Sequence, residues 1–161
     1  MSRSSSIWLS SLLLFVGVLP LPAGELQNAG FEKPSGWQIV TRGSGLKAAF
    51  DARTFHAGKK SFTVSIDSQS PTEKEDFAGI AQVVELTRAD KGISFYVKDT
   101  YTGGTARYHW MELLLDGEVI WESDVAGGDT NWKKVSLDLT RYLKNGKRVK
   151  IGRKKYREEK N

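Results

Sequence analysis

The stretches Asn28-Ala29-Gly30-Phe31-Glu32, Trp37 and His56-Ala57-Gly58-Lys59-Lys60-Ser61 stand at the start of a run of short apolar segments. Those segments alternate apolar and polar residues with a period of two, which is typical of half-buried strands. The clearest apolar sets are Phe62/Val64/Ile66, Ile93/Phe95/Val97 and Val135/Leu137/Leu139. Helical periodicity is nearly absent. The pattern predicts an all-β fold, an antiparallel two-sheet β-sandwich of the jelly-roll type.

Turn residues separate the predicted strands. Asp116-Gly117 lies between the apolar segments 110–115 and 118–122, and Gly tolerates the positive φ of a tight turn, so the pair predicts a hairpin. Segment 80–86 is apolar on both faces except for Gln82 and Glu85. A strand with two apolar faces is expected at the centre of a sheet.

Residues 1–24 have the features of a secretory signal. Arg3 supplies a positive charge, residues 7–19 form an apolar stretch, and prolines precede the small residues Ala23 and Gly24. The alternative, a transmembrane anchor, usually needs about 20 apolar residues without prolines. We therefore expect a signal peptide over 1–24, a secreted or cell-envelope protein with no membrane span after cleavage, and one domain over 25–161.

The positive charge of the chain is concentrated near its C-terminus. The formal charge is +5, and residues 144–161 hold nine Lys or Arg and two Glu, so the rest of the mature chain is mildly acidic. A basic tail can attract nucleic acid, anionic polysaccharide or a membrane surface, and the alternative is a solvated end strand. Aromatic residues are not interleaved with these charges, so nucleic acid is not an expected partner. Without cysteine, stability must come from a hydrophobic core and any bound ion.

Three motifs in order resemble one family. The opening Asn28-x-Gly30-Phe31-Glu32 with Gly36-Trp37 resembles the start of extracellular carbohydrate-binding modules that have the galactose-binding-like jelly-roll fold. The turn 56–61 resembles their HSG-x-x-S turn, and the segment 132–140 resembles their late W-x-x-V-x-V-D-L-T strand. The resemblance covers about residues 26–156. It implies structural, buried positions for Phe31, Trp37 and Trp132.

The resemblance also implies a structural Ca²⁺ near the first strand. Glu32 matches the motif carboxylate that ligates the ion, and oxygens near Asn28 and the turn 59–61 would complete the shell, because Ca²⁺ takes hard oxygen ligands. The alternative for Glu32 is to accept loop N–H bonds. The family's W/F-x-D-D segment on a final strand is missing here. We therefore expect either a jelly roll lacking its last strand, with an open sheet edge, or a last sheet completed differently.

Sugar binding needs aromatic faces flanked by polar groups. The alternation over 107–115 places Tyr108, Trp110 and Glu112 opposite the core residues of that segment. Tyr96 and Lys98 likewise alternate with core residues. If these strands are neighbours, one face carries the predicted ligand surface, made of Gln82, Tyr96, Lys98, Tyr108, Trp110 and Glu112. The alternative is that Tyr108 and Trp110 pack against the second sheet or under a loop.

Motifs of catalysis are missing. The sequence has no G-x-S-x-G elbow and no H-E-x-x-H, and it contains two histidines. We expect a non-catalytic module that binds poly- or oligosaccharide by aromatic stacking, with a glycoside hydrolase as a partner that it would hold near the polymer. The alternative is a structural or adhesive surface domain that contacts other proteins. The fold is compatible with both functions.

Overall fold

The computed structural model of this chain describes residues 25–66, 76–87, 89–100, 109–125, 130–143 and 148–155. The predicted signal peptide and Tyr108 lie outside these ranges. The regular structure in them is all β, in nine strands: β1 Gln38–Arg42, β2 Leu46–Asp51, β3 Ser61–Ile66, β4 Phe77–Glu85, β5 Gly92–Val97, β6 Trp110–Leu115, β7 Glu118–Asp124, β8 Lys133–Asp138 and β9 Arg148–Lys155. The prediction of an all-β antiparallel fold is confirmed. Within the same ranges, no helical segment has the length and apolar character needed to cross a bilayer.

The larger layer is a five-stranded antiparallel sheet in the order β1-β4-β9-β6-β7. β4 pairs with β1 on one side and β9 on the other, as its two apolar faces predict. Asp116 and Gly117 join β6 to β7 with φ values of 51° and 85°. Positive φ at both central residues is the conformation of a type I′ hairpin turn, so the predicted hairpin is confirmed.

The basic C-terminal segment completes this sheet. β9 pairs with β4 through Ala81↔Gly152 and with β6 through Leu115↔Ile151, so it occupies the central position of the five strands. Of the two expected alternatives, an open edge beside a missing last strand or a last sheet completed differently, the structure favours the second. Backbone groups of β4 and β6 that such an edge would expose are paired with β9.

The second layer consists of two separate pairs, β2-β3 and β5-β8. Leu46 of β2 packs on Ala78 of β4, and Phe95 of β5 meets Trp121 of β7 edge to face, with ring centroids 5.3 Å apart. The main core lies between the layers and contains these buried residues: Val84, Leu86, Leu113, Leu115, Leu139, Leu143 and Ile151. Strand alternation then fixes which side chains face the core and which face outward.

Candidate functional site

A cleft of about 450 Å³ opens where the second layer is divided, between β3 and β5. Its floor is apolar and includes Ile80, Leu113 and Ile151, which face the core from the five-stranded sheet. Polar and aromatic side chains from β3, β5 and the loop after β2 line its mouth. A cleft of this volume with an apolar interior and a few polar groups is the usual form of a small-ligand site, for which volumes run from about 300 to 1,000 Å³.

Three aromatic side chains, His56, Tyr96 and Trp132, lie together at the mouth, and we call them the rim cluster. The His56 ring stacks on Tyr96 with centroids 3.5 Å apart and an interplanar angle of 14°. Trp132 meets His56 edge to face at 5.9 Å. Tyr96 remains 41% exposed in this arrangement. Contact between the rings restricts their rotamers while part of the aromatic surface stays in water.

The local chain direction explains why these rings meet. On β5, Phe95 and Val97 pack into the core, so Tyr96 between them faces outward from the second layer. Trp132 lies two residues before Lys134, which is the cross-strand partner of Tyr96, so Trp132 continues the same outward row. His56 comes from the loop between β2 and β3 and closes over this row.

The structure separates the residues of the predicted ligand surface. Tyr96 and Lys98 line the cleft together. Trp110 and Glu112 belong to β6 in the other layer, where Met111 and Leu113 face the core. Outward residues of opposite layers lie on opposite sides of the sandwich, so Trp110 and Glu112 do not share a face with Tyr96. Tyr108 lies outside the described residues.

Trp110 and Glu112 have surroundings unlike those of an open binding surface. Glu112 is 3% exposed, and the register places it between Glu122 of β7 and Lys154 of β9. The Trp110 indole N–H is buried and finds no acceptor among the residues that the structure describes. Glu112 borders the cleft floor, while alternation along β6 directs its side chain away from the layer that carries Tyr96.

Gln82 faces the core side of β4 and ties the N-terminal loop to the sheet. Its side-chain oxygen accepts a 2.8 Å bond from the Gln27 N–H. Its amide nitrogen donates to the carbonyl of Gln27 at 3.0 Å and also to that of Gly36. Gln82 is 6% exposed and binds main-chain groups, so its side chain holds the N-terminal loop against β4. It does not lie at the cleft mouth.

The loop that the resemblance assigns to calcium is closed by its own hydrogen bonds. The Asn28 carbonyl accepts from the Trp37 indole and the Phe31 N–H, both at 2.9 Å. The Asn28 side-chain oxygen accepts from the Lys33 N–H at 3.1 Å, and its amide donates to the carbonyls of Lys33 and Ser35. Both oxygens of Asn28 therefore accept hydrogen bonds within this loop.

Glu32 joins this loop to the turn 56–61. One of its carboxylate oxygens accepts a 2.7 Å bond from the Lys59 N–H. Gly58 has φ +74°, and a Cβ built on it would overlap the Glu32 carboxylate. Within the described ranges, no three His, Cys, Asp or Glu residues are grouped as metal ligands. Ca²⁺ takes six to eight oxygens, which backbone carbonyls supply as well as carboxylates, so the calcium site stays a prediction.

Phe31 and Trp37, for which the resemblance implies buried structural positions, are half-buried in one aromatic group. Their ring centroids are 5.4 Å apart, and Phe31 also lies within 6.4 Å of Phe50 and Phe62. Phe31 has φ 62°, a left-handed conformation that is rare for a bulky residue. The bond from its N–H to Asn28 and the four-ring packing hold it there. This aromatic group supports the wall of the cleft, which Phe31 and Trp37 both line.

Asp51 is the carboxylate at the cleft mouth beside this group. It accepts bonds from the N–H groups of Arg53 at 3.0 Å and Thr54 at 3.2 Å, and it forms an ion pair with the Arg53 side chain at 3.3 Å. The N–H of Arg53, followed by its guanidinium, lowers the pKa of Asp51 below its usual 3.8. Asp51 is therefore an anion whose charge is balanced locally.

Sequence reasoning missed two members of the rim cluster, His56 and Trp132. The resemblance places His56 in a turn motif and Trp132 at a buried motif position. The structure places Trp132 half-buried against exposed His56 instead of inside the core. Trp132, Lys134 and Ser136 alternate along the chain with Val135 and Leu137, which face the core. This alternation is the sequence signal that could have shown that Trp132 faces outward.

Comparisons with known proteins leave the family open. No protein-family model and no curated protein sequence matches this chain. A search of solved structures finds a similarity to the enzymatically active domain of tailspike protein 4 from bacteriophage CBA120, with 17% identity and a TM-score of 0.46. The match covers 81% of this chain and 18% of the tailspike chain. At this level of similarity it carries no argument about function.

Proposed function

We propose that this protein is an exported, non-catalytic module that binds a poly- or oligosaccharide at the cleft, through the rim cluster. The observation that carries the proposal is the pairing of a partly exposed, fixed aromatic surface with a cleft of about 450 Å³. Aromatic rings bind the C–H faces of pyranoses, and polar groups beside them bind ring hydroxyls. Thr54, Lys60, Ser61, Ser94 and Lys98 supply such groups along the cleft.

Fixed rings favour binding over catalysis. Ordering a ligand-binding side chain costs about 0.5–1.5 kcal/mol, and the His56–Tyr96 stack lowers that cost before a ligand arrives. Glycoside hydrolysis needs two carboxyl groups flanking the scissile bond. Of the two acidic residues that line the cleft, Asp51 is engaged with Arg53 and Thr54, and Glu112 is directed away from the mouth. The local hydrogen bonds of Asp51 and the direction of Glu112 support a binding role.

Affinity electrophoresis against a panel of plant and bacterial polysaccharides tests the proposal. We expect retardation by at least one polymer for the unmodified protein, and its loss in Tyr96→Ala and Trp132→Ala. Phe55→Ala is the matched control, because Phe55 is 40% exposed next to His56 but does not line the cleft. Circular dichroism and thermal melting check that the variants fold.

Three results would overturn this function. Equal retardation of Tyr96→Ala and the unmodified protein would place sugar binding elsewhere. No retardation by any polymer, together with self-association in solution, would favour the alternative of a structural or adhesive surface domain. Release of reducing sugar by the unmodified protein, lost in Asp51→Asn, would replace binding with catalysis.

A further inference from the structure

Positive charge surrounds the rim cluster. Lys60 and Lys98 line the cleft, and Lys134 is the cross-strand partner of Tyr96 on the same outward face. We propose that the ligand is an acidic polysaccharide whose sugar rings carry carboxylate or sulfate groups that these lysines bind. This inference rests on the proposed function and names the ligand class for the same cleft.

The three ammonium groups have no carboxylate partner among the described residues. In the part of the chain that the structure describes, no carboxylate forms an ion pair with Lys60, Lys98 or Lys134. Asp51 has its charge balanced by Arg53, and Asp99, which follows Lys98, does not line the cleft. Among the described residues, the mouth therefore has an excess of positive charge, although residues 25–143 as a whole are acidic. A local field opposite in sign to the rest of the domain attracts anions to this position.

Spacing along the strands brings the charges within reach of a sugar stacked on Tyr96. Cross-strand partners in an antiparallel pair have Cβ atoms about 4.5–5.5 Å apart, which places Lys134 beside the ring. Lys98 lies two residues beyond Tyr96, about 6.6 Å along the chain and in the same outward row. An anionic substituent on the stacked sugar, or on the next one, can accept charge-assisted bonds from these ammonium groups.

Matched polymer pairs test the proposal by isothermal titration calorimetry. Polygalacturonate is compared with fully methyl-esterified pectin, and dextran sulfate with dextran, so that each pair differs in charge. We expect the protein to bind one acidic member at least tenfold more tightly than its neutral match, with affinity falling as salt rises. The two pairs distinguish carboxylate from sulfate as the recognised group.

Charge-neutralising variants locate the effect. Lys98→Gln and Lys134→Gln are each expected to weaken binding to the acidic polymer about fivefold. Lys91→Gln is the matched control, because Lys91 is exposed at the other end of β5, about 20 Å from Lys98. All three variants keep the long side chain, so folding is checked by the thermal midpoint alone.

The outcomes separate this inference from the proposed function. Binding that depends on Tyr96 but is equal for acidic and neutral polymers overturns the acidic ligand and leaves saccharide binding in place. Absence of binding to every polymer overturns both. Binding of single-stranded DNA as tight as that of the acidic polysaccharide would show non-specific attraction of polyanions and would also overturn the inference.

Discussion

The imidazole of His56 stacks on the phenol ring of Tyr96 with centroids 3.5 Å apart, although the two residues come from different pairs of strands in the second layer. β2-β3 and β5-β8 share no ladder hydrogen bonds, and the cleft lies between them. The stack therefore spans the division in this layer and sets the position of the ring that we assign to sugar binding.

Removal of the stacking ring is expected to weaken saccharide binding without unfolding the domain. His56→Ala should lower affinity about three- to tenfold, because Tyr96 loses the contact that restricts its rotamers. The side-chain entropy of Tyr96 is then lost when the ligand binds, which weakens binding. His56→Phe keeps an aromatic ring and should retain most of the affinity. Titration calorimetry measures both, and equal affinities for the alanine variant and the unmodified protein would contradict a positioning role.

The turn at Gly58 is expected to be sensitive to any side chain. Gly58→Ala places a Cβ at φ +74° against the Glu32 carboxylate, so it should destabilise the fold by about 1–3 kcal/mol. Gly30→Ala is the control, since a Cβ there meets Glu32 Cγ at an ordinary 3.7 Å. Urea unfolding of both variants measures the difference. Equal stability of the two would mean that the loop readily relaxes away from Glu32.

The bonds made by Gln82 are expected to contribute strongly to stability. Gln82→Ala removes the three part-buried hydrogen bonds to the main chain of Gln27 and Gly36, at a cost of about 1–3 kcal/mol. Val83→Ala, one residue along β4, removes a side chain that is 49% exposed and should cost less than about 1 kcal/mol. Chemical denaturation gives both values, and a Gln82→Ala variant as stable as Val83→Ala would contradict the bracing role.

Chelation of metal is expected to leave the thermal midpoint unchanged. The N–H of Lys59 already binds Glu32, and the oxygens of Asn28 are engaged within their loop. Glu32→Gln keeps an acceptor for Lys59 and should melt close to the unmodified protein, whereas Glu32→Ala should melt lower. A midpoint that falls with EDTA and recovers with Ca²⁺ would show that these loops rearrange around the ion.

Stability is expected to fall in acid through two turn carboxylates. The hydroxyl and N–H of Thr140 lower the pKa of Asp138, and the N–H of Arg53 lowers that of Asp51, both from 3.8. A depressed pKa in the folded state adds stability above the unfolded value, and this is lost as pH falls below about 4. Thermal midpoints from pH 6 to pH 3 should fall less steeply in Asp51→Asn/Asp138→Asn. An identical slope would contradict the assignment.

Strand content could be predicted from the sequence because period-two alternation is a local signal. β3, β5 and β8 follow the alternating segments, and Asp116-Gly117 forms its turn where expected. The layer that each strand joins is a long-range property, which alternation does not contain. Tyr96 and Trp110 both point outward, yet they lie on opposite sides because β5 and β6 belong to different layers. The predicted shared face required β5 and β6 to be neighbours in one sheet, and they are not.

Two further differences arise from contacts between residues far apart in the sequence. Basic residues flank Val149 and Ile151, so β9 has the composition of an edge or a tail although its backbone pairs on both sides. Gln82 lies in a strand that is otherwise apolar, and its partners Gln27 and Gly36 are 55 and 46 residues away. Neither arrangement leaves a signal within a short window of sequence.

The central place of β9 also affects how this domain can assemble. β9 is the last of the described strands along the chain, but β4 and β6 meet only through it. During synthesis, the five-stranded sheet must wait until residues 148–155 have left the ribosome, with β4 and β6 unpaired on the sides that β9 will fill. Such late, non-local pairing slows folding and favours a chaperone that shields those edges in the interval.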